Sequence, residues 1–379
     1  MMKIRFALLA LTCTCISRPA AMAAKHTIVY SFGGSPDGAN PHCSLVELNG
    51  IFYGTTAFGG KYGFGTVFSL TPGGTETVLH SFGGEGLADG YLPYSALVAH
   101  GGTLYGVTDY GGTGAQTLGT VFSIKPDGTY AVLYSFTGGS DGANPIGSLA
   151  YAHGTLYGTT MAGGAANLGT LFAITPTGKE TVLHTFQGGN DGANPQSSLI
   201  AVHGQIYGTT SFGGASGNGT VFSFANGQES IVYAFQGSPH NDGSYPLYPP
   251  LTELGGTLYG TTYEGCDANE QGCVFSLTPA GVETVLYAFA GKPDGASPLS
   301  SLLPLNGEFY GTTAEAGAHK RGTIFQVSPS GAESVLYSFI NASDGEYPQA
   351  GLIESGGVLY GTTYDGGAFG SGTVFSFTP

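Results

Sequence analysis

Tryptophan is absent from this 379-residue sequence, and charge is scarce, with Asp, Glu, Lys and Arg making up 9% of residues. Positive charge is the scarcer kind, at 10 Lys and Arg against 25 Asp and Glu. Neutralising phosphates takes Lys and Arg, so neither nucleic acid nor an anionic membrane surface is an expected partner. No segment is apolar for the ~18 residues that a membrane-spanning helix needs. No stretch carries an amphipathic helical period either, which argues against a helical core. There is no H-E-x-x-H, no paired Cys-x-x-Cys, no Ser-centred nucleophile elbow and no phosphate-cradling glycine loop. Neither a metal nor a cofactor is therefore expected. What the chain has instead is 41% hydrophobic residues and 67 glycines. It can bury a core, and it turns often.

The first 24 residues read as an export signal. "MMKIR" is a short basic start, "FALLALTCTCI" is an apolar run too short to cross a bilayer, and "SRPAAMAA" ends in small residues with Ala21 and Ala23 in an A-x-A arrangement. Cleavage after Ala23 or Ala24 is expected, without an evident lipobox at Cys13 or Cys15. It leaves 7 basic against 25 acidic residues, a balance of −18, which also counts mildly against a polyanionic substrate. The last repeat reaches Pro379 with no anchor or sorting tail after it, so a secreted or periplasmic protein, monomeric and without a membrane anchor, is expected. Cys43, Cys266 and Cys273 remain in the mature chain. An oxidising compartment permits pairing, and an odd count leaves one thiol over.

Internal repetition dominates the rest. The tetrad Tyr-Gly-Thr-Thr, or a close variant, begins at Tyr53, Tyr105, Tyr157, Tyr207, Tyr259, Tyr310 and Tyr360. A second marker, Asp-Gly-x-x-Pro, begins at Asp37, Asp89, Asp141, Asp191, Asp242, Asp294 and Asp344, in phase with the first. Each unit holds four short runs rich in Val, Ile, Leu, Tyr, Phe and Thr. In the second unit these are "YSALVAH", "TLYGVT", "GTVFSIKP" and "YAVLYSF". Turn residues separate them, as between strands. The Gly inside each tetrad marks a place of close approach, expected to lie between neighbouring sheets.

Four strands per unit and seven units predict an all-β, seven-bladed β-propeller, with residues 25–379 as its single domain. The ends of the chain agree with closure. The last unit stops after its third strand, "GTVFSFTP", while the mature chain opens with an orphan fourth strand, "HTIVYSF". Together they complete the seventh blade. The period resembles that of kelch repeats, but kelch blades rely on a Trp. The repeat itself, "LYGTT…GG…GTVFSLTP…ETVLYSF…DGANP", more closely resembles the GloVer tandem-repeat family of exported bacterial proteins and covers nearly all of the chain after the signal. The resemblance implies export and a repeat architecture, and no particular activity.

Function should lie on the face where loops vary, namely the Asp-Gly-x-x-Pro loops and the loops between second and third strands. The seven repeated Asp and seven tetrad Tyr are expected to be structural, since every blade has them. His80 and His184 replace Tyr in the outer strand, and His100, His153 and His203 fall in turns on the opposite face. His42 and His240 lie in blade-junction loops of the variable face. Departures from the repeat cluster along one arc. "QGSPHNDGSYPLYPP" brings His240, Tyr245 and Tyr248, and "YEGCDANEQGC" brings Tyr263, Glu264, Asp267 and Glu270. "AGKPDG" brings Lys292, and "AEAGAHKRGT" brings Glu315, His319, Lys320 and Arg321. Tyr62, Tyr91, Tyr94, Tyr110, Tyr347 and Tyr364 share that face.

Two functions compete. One is a binding module, most simply for carbohydrate or otherwise for protein, with Tyr245, Tyr248, Tyr263, Lys292 and Lys320 as ligand contacts. The other is a glycan-cleaving enzyme. A hydrolase would draw its carboxyl pair from Glu264, Asp267, Glu270 and Glu315. A lyase would use His240 or His319 as base, with Lys292 or Arg321 beside the uronate. Cys266 and Cys273 stand at the two feet of one loop, within bridging reach if that loop is a hairpin.

Overall fold

The computed structural model describes residues 25–114 and 117–379; the expected signal segment, 1–24, lies outside the described residues. Seven four-stranded antiparallel sheets form a ring. Blade 1 comprises Val46–Leu48, Ile51–Thr56, Thr66–Leu70 and Glu76–Ser81. Blade 7 comprises Ile353–Ser355, Val358–Thr363 and Thr373–Thr378, and is completed by Lys25–Ser31 from the other end of the chain. The first strand of each blade lies next to the axis and the fourth lies at the rim.

The first strands are shorter than the apolar runs predict. In blade 2 the strand is Val98–His100, and Tyr94–Leu97 runs unpaired along the channel. A serine side chain substitutes for the missing ladder. Ser300 Oγ donates to the Thr312 carbonyl at 3.0 Å and accepts the Thr312 N–H at 2.7 Å. Ser197 does the same for Thr209. Cys43 is the blade 1 counterpart, with its Sγ 3.1 Å from Thr55 Oγ1. In the fourth and sixth blades the buried backbone groups of the second strand therefore stay satisfied where no strand pairs with them.

Neighbouring blades are joined by a ring of phenylalanines. The Phe that follows each fourth strand packs edge-on against the third-strand Phe of the next blade: Phe32 on Phe68, Phe82 on Phe122, Phe136 on Phe172 and so on, seven times, at 5.1–5.4 Å. Each is fully buried, which stabilises by about 2–3 kcal/mol per ring. The tetrad Gly makes room for this ring. A Cβ on Gly54 would lie 2.7 Å from Phe68 Cζ and 3.0 Å from Leu45. The close approach is thus to a side chain of the same blade and not to the neighbouring sheet.

The Asp of Asp-Gly-x-x-Pro is structural. Asp37 accepts the Tyr30 hydroxyl at 3.0 Å and the Gly33 N–H at 2.7 Å, pinning the chain as it passes from one blade to the next. Tyr134–Asp141, Tyr233–Asp242, Tyr287–Asp294 and Tyr337–Asp344 repeat the bond. His80 and His184 take the tyrosine's part towards Asp89 and Asp191.

Cys266 and Cys273 form a disulfide with Cα atoms 6.0 Å apart. In the other blades these positions are Gly and Thr, already in contact. A Cβ on Gly60 would meet Thr66 Cγ2 at 2.8 Å, and one on Gly317 would meet Thr323 at 2.7 Å. The fifth blade converts that contact into a covalent bond. Cys43 is buried and free. Among the described residues no helix is long and apolar enough to cross a membrane.

Candidate functional site

The chain immediately after each Asp-Gly-x-x-Pro descends into the central channel. The residue following the proline differs from blade to blade: His42, Tyr94, Ile146, Gln196, Leu247, Leu299 and Gln349. The residue following each tetrad differs as well: Ala57, Asp109, Met161, Ser211, Tyr263, Ala314 and Tyr364. Six of these residues meet at one channel mouth. Its cavity of about 460 Å³ is lined by His42, Tyr94, Asp109 and Ile146, together with Tyr248, Gln349 and Tyr364. The size suits a small ligand or one or two sugar rings.

His42 stands at the centre. Its ring faces Tyr94 at 5.3 Å, Tyr248 at 5.4 Å and Tyr364 at 6.0 Å, each nearly perpendicular. These tyrosines come from different sides of the ring of blades. Tyr248 reaches the axis because the fourth-to-fifth junction is longer than its sisters. There Tyr248 sits at a φ of 25°, and its carbonyl accepts the Ser198 N–H at 3.0 Å. Burial pushes His42 down to about 4, the Tyr94 backbone opposing weakly. At neutral pH the imidazole is uncharged. Burial also raises all three tyrosine hydroxyls, Tyr94 to about 12, so they stay protonated donors.

Asp109 is 7% exposed, and its Oδ1 has no hydrogen-bond partner among the described residues. The Asn144 amide donates to its main-chain carbonyl at 3.1 Å. Burial pushes its carboxyl up to about 6, and Asn144 pulls the other way. Among the described residues it is the one carboxylate lining the mouth. Charge–charge effects tie it to Tyr94 and Tyr248.

The residues singled out from the sequence fall into two groups. Tyr248 lines the mouth, and half-buried Tyr263 is near enough to perturb its hydroxyl. None of the others lines that cavity. Half-buried Glu264 sits in a two-residue strand paired with Gly243–Ser244. Asp267 Oδ1 caps its own turn, accepting the Asn269 N–H at 2.8 Å, and Glu270 is exposed. Glu315 is exposed in the equivalent short pairing with Ala296. His319, Lys320, Lys292 and His240 are exposed, and Arg321 is ion-paired with Glu346. Tyr245 packs on Phe212 at 5.5 Å. The loops between second and third strands lean over their own outer strands, as the Ala318 N–H does towards Ser338 Oγ at 3.3 Å. They therefore widen the face rather than close on the axis.

One further group has metal-ligand geometry: atoms of His184, Asp191 and Glu229 lie within 4.8 Å of one another at the rim. It is the third-to-fourth blade version of the Tyr–Asp–Glu arrangement found at other junctions, with His in place of Tyr.

A repeat-family model described as the Gloeobacter/Verrucomicrobia repeat matches residues 18–222 and again 195–379. The chain belongs to this family. A search of curated proteins finds no match. Among solved structures, the Gloeobacter/Verrucomicrobia repeat chain superposes on a GH74 xyloglucanase from Xanthomonas campestris with a TM-score of 0.59 and 13% identity, over 90% of this chain and 53% of that one. It superposes on a puromycin hydrolase with a TM-score of 0.52 and 13% identity, over 86% of this chain and 50% of that one. The repeat chain thus spans about half the length of each, and at this identity the likeness is one of fold.

Proposed function

We propose that this protein is an exported, monomeric binding module for carbohydrate, with its ligand seated at the channel mouth. The observation that carries this reading is the meeting of three tyrosine rings, a neutral imidazole and one carboxylate around a single cavity on the variable face. Tyrosine offers sugars a flat apolar surface with a hydroxyl at its edge, and Asp109 and Gln349 accept hydroxyl protons. A single carboxylate at the mouth favours binding over hydrolysis, since glycoside hydrolysis ordinarily takes two. The rim loops bearing Tyr245, Tyr263, Lys292 and Lys320 would extend the site for a longer chain.

The test is a polysaccharide panel read for affinity and for products together. Binding without product is expected. New reducing ends, or the absorbance of an unsaturated uronate, would overturn the reading in favour of glycan cleavage. Glu264, Asp267, Glu270, Glu315, His240, His319 and Arg321 would then be substituted one at a time, with Asp109 as a proton carrier within the mouth.

A further inference from the structure

The mouth carries a charge that nothing in it answers. Asp109 is withdrawn from bulk water, yet its Oδ1 lacks a partner among the described residues. An unpaired carboxylate in such a place costs several kcal/mol in general, and a bound counter-charge removes that cost. Among the described residues no Lys or Arg lines the cavity to supply one. His42 does not supply it either, because its imidazole is neutral at neutral pH. Tyr94 and Tyr248 are close enough to feel its charge, Tyr364 lines the same cavity, and aromatic rings attract a cation at their faces. Carboxylate and rings together make the surroundings in which organic ammonium ions are held. Position also matters. The sister blades carry Ala57, Met161, Ser211, Tyr263, Ala314 and Tyr364 where blade 2 has Asp109. The fold therefore does not require an acid there.

We infer that the channel mouth recognises an organic ammonium group carried on a sugar, with Asp109 as its counter-ion and the tyrosines lining the mouth as its aromatic surroundings. This rests on the carbohydrate reading above and narrows it to amino sugars with a free amine. It also accords with the −18 balance of the mature chain, which disfavours uronates and sulfated glycans.

The experiment uses titration calorimetry on the full mature chain with three probes: an oligosaccharide of glucosamine, its fully N-acetylated counterpart, and choline. The glucosamine oligomer should bind at least ~10-fold more tightly than the acetylated one, a factor equal to about 1.4 kcal/mol. Its affinity should rise as Asp109 ionises and fall again once the amine loses its proton. Asp109→Asn should erase the preference. Asp109→Ser, which places in blade 2 the residue blade 4 carries as Ser211, provides a second variant suited to the fold. Equal binding of both sugars, or a preference that survives both substitutions, overturns the inference and leaves the carbohydrate reading standing. Choline bound through Asp109 while neither sugar binds overturns the assignment to a sugar and the carbohydrate reading with it. Binding of none of the three overturns both.

Discussion

The rings of His42 and Tyr248 meet edge-to-face at 5.4 Å across the channel, although one precedes blade 1 and the other precedes blade 5. The contact exists because the fourth-to-fifth junction is longer than its sisters, which pushes a tyrosine to the axis. Replacing Tyr248 with Ala should therefore weaken ligand binding by ~10-fold, in line with the loss of one buried aromatic contact. Melting should change little, because Tyr248 lies outside the Phe ring that joins the blades. A Tyr248→Ala protein with full affinity would show that the ligand sits elsewhere.

Much of the fold was legible because seven copies carry the same instructions. The tetrad, the Asp-Gly-x-x-Pro loop and the split seventh blade each repeat a local rule, and local rules are what a sequence displays. The site was legible only in part. Clusters of acids and bases stand out along the chain, as in Glu264–Glu270 and Glu315–Arg321, but these loops lean outward over their own blades. The mouth is assembled radially, from single residues at equal phase in different repeats. His42, Tyr94 and Tyr364 were visible as members of the variable face, whereas their convergence was not. Asp109 was missed. Its signal was a lone acid at the position after the tetrad, where the other units place neutral residues.

The disulfide yields a second prediction. Cys266 holds a φ of 73°, natural for the Gly of the other blades and strained for a side chain. Reverting both residues, Cys266→Gly with Cys273→Thr, removes the cross-link, relieves that strain and restores the threonine pair seen as Thr313–Thr323 at 2.8 Å. A short-loop disulfide is worth roughly 2–3 kcal/mol, so the double reversion should cost less, about 1–2 kcal/mol. Cys273→Thr alone sets the Cys266 side chain against a threonine and should cost more than the pair. Denaturant unfolding of the three proteins would decide it, and a single mutant more stable than the double would contradict the account.

Cys43 gives the third. It fills the place of Ser95, Ser197 and Ser300, so Cys43→Ser should fold and melt within about 1 kcal/mol of the parent. The thiol is buried and its pKa is raised by that burial. For a protein of residues 25–379, a thiol reagent should find no reactive cysteine in the native oxidised state and one after denaturation. Three after denaturation would mean that Cys266 and Cys273 are not paired.

The fourth concerns pH. Glu76, Glu180, Glu229, Glu283 and Glu333 stand at the first or second position of the outer strands of five blades, each with a buried Oε1 lacking a partner among the described residues. Burial, and secondarily the charge of a junction Asp, pushes each carboxyl up to about 7. The fold therefore favours the protonated acid, while the unfolded chain loses its proton near the ordinary 4.5. The stabilisation is complete below about 4.5 and is lost as pH rises through about 7. His26 and His42, both lowered by burial, act in the opposite sense in acid, so the comparison must be made between parent and variant at each pH. Glu283→Gln should raise the melting temperature at pH 8 and leave it nearly unchanged at pH 5. An equal change at both would rule out titration of this group.

Closure of the ring gives the last. Lys25–Ser31 is the outer strand of blade 7, paired along its length with Thr373–Thr378. Phe32 follows it and packs on Phe68 of blade 1, and Tyr30 bonds Asp37 at the same junction. Deleting residues 25–33 would remove all three contacts at once. It would bare the edge of the Thr373–Thr378 strand, whose free backbone groups invite another chain, and leave the Phe ring open at one of its seven joints. The truncated protein should lose cooperative melting and elute as aggregates on size exclusion. Adding the missing strand back as a synthetic peptide should restore part of the monodisperse fraction. Unchanged melting and a single monomer peak for the truncated chain would mean that the ring does not depend on this closure.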